Sequence, residues 1–353
     1  MFSLRIILLG LFISTFYLTS DAKKHTRTSG KTLDSREPVV QLKNAVHGKV
    51  FMPVMGLGTK GAGLLDGTGG EYWGNEQGHN ATLAWLKAGG RRIDSSSDYI
   101  TQDGVGTGWI ASGVPRSKIF ITSKIMSIGY DEALKTFDDI LASLKTDYID
   151  LLLIHWPGDK PGTVTKPVPT CKKDKSTWTD CRVQTWQALE HLFKQKKVHA
   201  IGVSNFGVNH LLEIFNLNSL IPSVNQVEFH PYWHEDELLD FCQKNNITFN
   251  SYAPLASADH AIFLGTSWNP IPDLRQHPDV IRIAQKYHKS SVQILLRWQW
   301  QQGIVMNPRT LNPAHMIENL SIFDFKLSKQ DMMILSYINH PMSKMFPDPR
   351  LIL

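Results

Sequence analysis

The chain has 353 residues, of which 42% are hydrophobic and 20% are charged, an ordinary balance for a globular protein with a sizeable core. Neither a repeat of 20–50 residues nor a low-complexity block occurs, which argues against a repeat protein. The formal charge of +5 lies entirely in residues 23–49, which hold seven Lys or Arg and two Asp or Glu, so the rest of the chain is not predicted to bind nucleic acid.

The amino-terminal residues resemble a secretory signal peptide. Arg5 supplies a positive charge, residues 6–18 are uncharged and largely apolar, and Ser20 and Ala22 fit the small residues that precede a cleavage site. The apolar run is shorter than the ~20 residues that a membrane-spanning helix needs, which disfavours a signal anchor. We therefore expect a cleaved signal over residues 1–22 and no transmembrane segment in the mature protein.

The basic segment that follows, residues 23–45, is expected to be a flexible arm. Its charge suits an anionic membrane or another polyanion, although a solvated tail is the simpler interpretation. The main domain is assigned to residues 46–340. Residues 341–353 are assigned to a C-terminal tail that lies over it.

Short apolar runs alternate with longer helical patterns through this domain. The runs are nearly continuous in hydrophobicity, as is typical of strands buried on both faces. They occupy residues 54–58, 91–94, 118–123, 148–154, 199–204, 223–229, 247–252 and 304–306. Helical patterns cover residues 130–144, 183–195, 207–215, 236–244 and 291–302. This alternation predicts an α/β protein with one domain, a closed (β/α)8 TIM barrel, with a small hairpin of residues 47–53 over its amino-terminal end.

The three cysteines differ in their surroundings. In the oxidising compartment that a signal peptide implies, Cys171 and Cys181 are candidates for a disulfide bond within a polar loop. Cys242 lies in a helical pattern and is expected to be a buried free thiol. No second Cys or His pair stands at metal-ligand spacing, so no metal site is predicted.

Polar residues interrupt the apolar strands at their carboxyl ends, where barrels of this class carry their chemistry. These residues are Asp94, Lys124, His155, Ser204, Asn205, Gln226 and Tyr252. A single polar strand end is commonplace. Six strands that place polar residues at the same mouth predict a functional site.

The same stretches resemble the aldo-keto reductase superfamily. MPVMGLGT at residues 52–59, RRIDSSSDY at 91–99, TSK at 122–124 and IHWP at 154–157 match its motifs in order. IGVSNF, VNQVEFHPY, SYAPLAS and IENLSIFDFKLS follow, so the resemblance covers about residues 50–338. It implies an NADPH-dependent oxidoreductase that reduces an aldehyde or ketone to an alcohol, of the aldehyde reductase or alcohol dehydrogenase (NADP+) type.

The resemblance implies four catalytic residues. Tyr99 would be the general acid that protonates the carbonyl oxygen, and His155 would hydrogen bond to that oxygen as it gains charge. Lys124 would lower the pKa of the phenol, and Asp94 would pair with Lys124. Each residue alone is consistent with a structural role, but the four together, in this order, indicate catalysis.

The resemblance also implies a cofactor site. Ser204, Asn205 and Gln226 would hold the nicotinamide carboxamide, Tyr252 would stack on the ring, and Trp156 would line the substrate pocket. The remaining cofactor residues that it implies are Thr59, Ser257, Asp259, Arg309, Thr310, His315, Glu318 and Asn319. No Gly-x-Gly-x-x-Gly motif follows a strand, so a Rossmann site is not indicated.

The chain departs from the family pattern at three places. Arg309 and Thr310 stand where the family usually has Lys and Ser, and His315 stands where it has an arginine that binds the 2′-phosphate. Lys60 stands where the family often has a substrate-pocket tryptophan. NADPH is therefore expected as the cofactor, with NADH possible, and the carbonyl substrate is not predicted.

Two other functions remain open: a cofactor-binding barrel that acts as a non-catalytic regulatory subunit, and a secreted structural protein with a decayed pocket. Sequons at Asn80, Asn246 and Asn319 are weak support for a secreted glycoprotein. We expect a monomer in the secretory pathway, exported or in the ER lumen, with a small carbonyl compound as its partner. A glycan on Asn319 would obstruct the cofactor, so that residue is expected to be unmodified.

Overall fold

The computed structural model describes residues 37–45, 48–61, 73–159, 169–172, 177–256, 272–338 and 344–353. The predicted signal peptide, most of the basic arm, and the predicted cofactor residues Ser257 and Asp259 lie outside the described residues.

An antiparallel hairpin of β1 (Val39–Leu42) and β2 (Val50–Pro53) comes first in the described chain. Leu42 and Met52 are fully buried, so one face of the hairpin packs against the rest of the protein. Because β2 leads into the first barrel strand, the hairpin lies at the amino-terminal end of the barrel, as predicted. The flexible arm predicted over residues 23–45 is too long, because Val39–Leu42 within it form β1 and pair with β2.

Eight parallel strands follow, and neighbours in the sheet are neighbours along the chain. They are β3 (Gly56–Gly58), β4 (Arg92–Asp94), β5 (Phe120–Ile125), β6 (Ile149–Ile154), β7 (Val198–Ser204), β8 (Val224–Glu228), β9 (Thr248–Tyr252) and β10 (Val305–Asn307). Met55 bridges Met306, and the Gly58 N–H donates to the Pro308 carbonyl at 3.0 Å, so the first and last strands meet. The predicted (β/α)8 barrel is confirmed.

Ten α-helices are present among the described residues. They are α1 (Asn75–Lys87), α2 (Gln102–Ser112), α3 (Tyr130–Leu144), α4 (Thr179–Lys194), α5 (Val208–Phe215), α6 (Asp236–Lys244), α7 (Pro278–Tyr287), α8 (Ser291–Gln301), α9 (Pro313–Leu320) and α10 (Lys329–Ser336). Helix α3 covers its predicted range because Ala133, Phe137, Ile140 and Leu144 recur on one face and are all buried. The Ser290 side chain begins α8 by accepting the Gln293 N–H at 3.2 Å.

Arg92 joins the two strands at which the barrel closes. Strand residues two apart share a face, so Arg92 points into the barrel like Asp94. Its Nη2 donates to the carbonyls of Val54 and Met306, each at 2.8 Å. Burial lowers the pKa of Arg92 to about 10 and raises the pKa of the neighbouring Glu37 to about 8. The guanidinium is therefore charged at neutral pH and stabilises the junction between the first and last strands, below the mouth of the barrel.

None of the helices in the described ranges is long and apolar enough to cross a membrane.

Candidate active site

A cavity of about 210 Å³ opens at the carboxyl ends of the strands. Its lining includes ten of the residues predicted from the sequence: Thr59, Asp94, Tyr99, His155, Trp156, Ser204, Asn205, Gln226, Tyr252 and Arg309. The strand ends converge because parallel strands in a barrel all point their carboxyl ends to one side.

Lys124 is fully buried at the end of β5, and its ammonium group holds three groups together. Its Nζ donates to Asp94 Oδ1 at 2.5 Å, to the Ser95 carbonyl at 2.8 Å and to Tyr99 Oη at 3.4 Å. The predicted ion pair between Asp94 and Lys124 is thus confirmed, and Lys124 lies next to the phenol as expected.

The pKa of Tyr99 is raised overall, not lowered as predicted. Burial, followed by the carboxylates of Asp94 and Asp98, raises the pKa of the Tyr99 phenol well above its ordinary value. The neighbouring Lys124 is itself paired with Asp94 at 2.5 Å. The phenol is therefore fully protonated at neutral pH, which suits a proton donor better than a base.

His155 lies beside the phenol, with the two ring centres 5.7 Å apart in an edge-to-face arrangement. Its Nδ1 is 3.0 Å from Ser96 Oγ and 2.9 Å from Asp98 Oδ1. The imidazole is mostly buried but lines the cavity. It is therefore held in a fixed orientation next to the tyrosine, as a group that contacts a carbonyl oxygen must be.

The side chains predicted to hold the carboxamide form a connected network. Gln226 Nε2 donates to Asp94 Oδ2 at 2.7 Å, and Ser204 Oγ donates to the Gln226 carbonyl at 2.8 Å. Tyr252 Oη donates to Asn205 Oδ1 at 2.6 Å. Asn205 has a φ of 61°, a left-handed conformation that asparagine adopts more readily than most residues, as the chain turns after β7. This network links the amides to the catalytic carboxylate.

One end of the cavity is basic. Thr59 Oγ1 donates to the Asp94 carbonyl at 2.7 Å, which fixes the loop after β3 beside the site. Arg309 Nη1 donates to the Lys60 carbonyl at 3.0 Å in that loop, and its guanidinium lies 5.1 Å from the Trp73 ring centre. Arg309 therefore places a positive charge in the cavity wall.

The other residues predicted for the adenosine end lie on or before α9, outside the cavity lining. Thr310 Oγ1 is 3.4 Å from His315 Nδ1, and His315 is exposed. Glu318 is half-buried, whereas Asn319 is buried within the same helix. The structure thus brings His315 close to Thr310, one residue after Arg309, but not into the cavity itself.

A disulfide bond joins Cys171 to Cys181, as the sequence suggested, with a Cα–Cα distance of 5.1 Å. The bridge packs with Trp156 and Trp178 in a small apolar cluster next to the cavity. It therefore supports Trp156, the residue predicted for the substrate pocket. Cys242 is a buried free thiol, also as predicted, and burial raises its pKa to about 12.

The C-terminal tail is anchored to the barrel by Glu228. This fully buried carboxylate accepts hydrogen bonds from Lys344 Nζ at 3.2 Å and from the backbone N–H groups of Met345 and Phe346. Although burial opposes ionisation, Lys344, the neighbouring His230 and the Met345 N–H together lower the pKa of Glu228. The Phe346 ring packs edge-on against Tyr252, with ring centres 4.9 Å apart. The tail therefore supplies part of the cavity wall.

Several lining residues were not predicted: Gly58, Gly61, Ala253, Pro254, Leu255, Arg275, Asn307, Pro308 and Phe346. Asn307 was detectable, because it is a polar residue at the end of an apolar strand like the others. Phe346 carried no local signal, since its place depends on Glu228, 118 residues away.

The sequence profile of the Aldo/keto reductase family matches residues 54–340, a range that contains all eight barrel strands and the residues Asp94, Tyr99, Lys124 and His155. The chain belongs to the aldo/keto reductase family. Asp94, Lys124 and His155 stand at the carboxyl ends of β4, β5 and β6, and Tyr99 lies in the loop after β4.

Known relatives span nearly the same length as this aldo/keto reductase. The 9,11-endoperoxide prostaglandin H2 reductase of Trypanosoma cruzi (strain CL Brener) is 36% identical, over 83% of this chain and 90% of its own. The glyoxal reductase of Bacillus subtilis (strain 168) is 37% identical, over 84% and 94%. The crystal structure of a Bombyx mori aldo-keto reductase in complex with NADP has a TM-score of 0.72 and 28% identity, over 86% and 93%.

Proposed function

We propose that this aldo/keto reductase uses NADPH to reduce an aldehyde or ketone to an alcohol, with Tyr99 as the general acid. The observation that carries the proposal is the buried ammonium of Lys124, which contacts both Asp94 and Tyr99 at the cavity. The names of the two reductases and the NADP in the Bombyx mori structure support the same reaction class.

Two side chains act on the carbonyl oxygen of the substrate. An oxygen placed between the Tyr99 phenol and the His155 imidazole is polarised by both groups, and negative charge develops on it during the reaction. Bound NADPH supplies the hydride. Tyr99 gives its proton to the oxygen as the alkoxide forms, and the Lys124 ammonium stabilises the phenolate that remains. The raised pKa of Tyr99 keeps that proton on the phenol until the transfer.

The groups around the cavity fit a nicotinamide dinucleotide. Amide and hydroxyl groups of Ser204, Asn205 and Gln226 stand near the aromatic ring of Tyr252, as a carboxamide-bearing ring requires. Arg309 lines the same cavity, and a guanidinium binds phosphate through two parallel hydrogen bonds. Because these donors are already positioned, we propose that the cofactor lies between them.

The test mixes purified protein with NADPH and a panel of aldehydes and ketones, and follows the loss of absorbance of the reduced nicotinamide. Turnover of at least one carbonyl compound is expected. Tight NADPH binding with no turnover of any compound would instead indicate the cofactor-binding, non-catalytic barrel.

Replacing His315 with Arg should tighten NADPH binding by roughly tenfold to a hundredfold, because a charged contact to the 2′-phosphate is worth ~1.5–3 kcal/mol. His315 is exposed beside Thr310, so the longer side chain has room. Affinity for NADH should hardly change, since NADH lacks that phosphate. Fluorescence titrations with both cofactors measure this, with His315→Gln as the control. Equal tightening for both cofactors would place His315 away from the phosphate.

We further propose that the protein is processed in the secretory pathway. The Cys171–Cys181 bridge supports this, because such bonds persist in oxidising compartments. Mass spectrometry of native material should find a mature start near residue 23 and the intact bridge. Asn80 and Asn246 are exposed and open to glycosylation, whereas Asn319 is 4% exposed and should be unmodified. An intact Met1 with two free thiols would contradict this proposal.

A further inference from the structure

Asp98 is in direct contact with the imidazole of the candidate active site. Its Oδ1 lies 2.9 Å from His155 Nδ1, and Ser96 Oγ lies 3.0 Å from the same nitrogen. The Ser96 hydroxyl itself donates to Asp98 Oδ1, so toward the imidazole it presents only an acceptor. Two acceptors therefore face Nδ1 of His155.

This arrangement determines the protonation of the ring. A nitrogen that faces two acceptors must carry a proton, so Nδ1 of His155 is a donor. A neutral imidazole with its proton on Nδ1 has only an acceptor at Nε2, and an acceptor cannot stabilise a carbonyl oxygen. His155 can donate to the substrate through Nε2 only if the ring is doubly protonated.

The charges around His155 favour that state. The ionisable groups at the ring include Asp98, in contact, and Tyr99, with ring centres 5.7 Å apart. Behind Tyr99, Asp94 and Lys124 form an ion pair at 2.5 Å and largely balance each other. Asp98 places a carboxylate directly against the imidazole, and a carboxylate in contact favours the imidazolium.

We propose that Asp98 is a positioning residue that accepts the Nδ1–H of His155 and keeps the ring cationic, so that its Nε2–H donates to the carbonyl oxygen of the substrate. This inference rests on the proposed reduction and names a residue that the sequence analysis left without a role. Because Asp98 acts through His155, it does not need to contact the substrate. Its side chain is 36% exposed.

The test compares wild type with Asp98→Asn, which keeps the shape and hydrogen bonding of the side chain but removes its charge. The Tyr99 phenol stays protonated to high pH, so a fall in kcat/KM below about pH 10 reports the imidazolium. In Asp98→Asn this fall should move to lower pH by about one unit. At pH 8, kcat/KM should drop by roughly tenfold, with NADPH affinity unchanged.

Two matched variants separate charge from structure. Asp98→Glu keeps the charge and should return the pH profile toward that of wild type. Ser96→Ala removes the neutral hydrogen bonds of the hydroxyl to His155 and Asp98 but leaves the carboxylate in place, so its profile should keep its position on the pH axis. An Asp98→Asn profile at the wild-type position, or no recovery in Asp98→Glu, would overturn the proposal.

A second measurement does not depend on turnover. NMR titration of histidine-labelled protein, with the His155 signals assigned by their loss in His155→Gln, follows the imidazole directly. His155 should hold its second proton to higher pH in wild type than in Asp98→Asn. If wild type reduces no carbonyl but this difference is present, the proposed function fails and the Asp98–His155 pair stands. If the two titrations coincide, the pair fails whatever the activity.

Discussion

The kcat of the Tyr99→Phe variant is expected to be ~10²–10⁴-fold lower than that of wild type for every carbonyl substrate, because the variant lacks the proton that the alkoxide must receive. The phenol lines the cavity, and its raised pKa keeps it protonated through the neutral range. For the same reason, ionisation of Tyr99 should not limit reduction in wild type below about pH 10.

Steady-state kinetics and fluorescence titration with NADPH together test this expectation. Cofactor affinity should be nearly unchanged, since the deletion removes one oxygen and little surface. Tyr337→Phe is the matched control, because that ring is 79% exposed beyond α10 and the same oxygen is lost far from the cavity. Wild-type turnover in Tyr99→Phe would refute the assignment of the general acid.

The Lys124→Met variant is expected to lose both activity and stability. Without the ammonium, Asp94 becomes a buried carboxylate without its ion-pair partner, which typically costs ~3–5 kcal/mol of the free energy of unfolding. For a domain of this size, such a loss lowers the melting temperature by roughly 5–15 °C. The phenolate left after proton transfer also loses its stabilising cation, so kcat should fall by ~10²-fold or more.

Calorimetry on a double variant separates these two effects. Adding Asp94→Asn to Lys124→Met removes the buried charge, so much of the stability should return. Activity should stay low, because no ammonium is left beside Tyr99. Recovery of turnover along with stability would show that the ion pair serves only the fold.

The barrel was predictable because its elements depend on local pattern. Helix α3 begins and ends where its apolar spacing predicts, and all six residues of β6 are buried, as its continuous hydrophobicity indicates. The main error in the fold lay at the amino-terminal side. Strand β1 (Val39–Leu42) is a short apolar run that was included in the basic arm, and it forms a strand by pairing with β2.

Part of the site was also predictable from local sequence. The residue types at the strand ends and the family motifs were enough to name the catalytic set and ten residues of the cavity wall, because strand direction alone brings those positions together. The disulfide bond and the buried thiol also followed from residue type and the expected compartment.

The sequence by itself therefore determined the fold class, the family and half of the residues that line the cavity. Only the tertiary structure decided their electrostatic state and their long-range supports. The pKa of Tyr99 rises because the phenol is buried beside the carboxylates of Asp94 and Asp98. Likewise, Asp98 reaches His155 and Glu228 reaches the tail through contacts between residues 57 and more than 100 positions apart. Local periodicity does not predict contacts between residues so far apart in the chain, because burial and charge balance arise only once the chain has closed into a barrel.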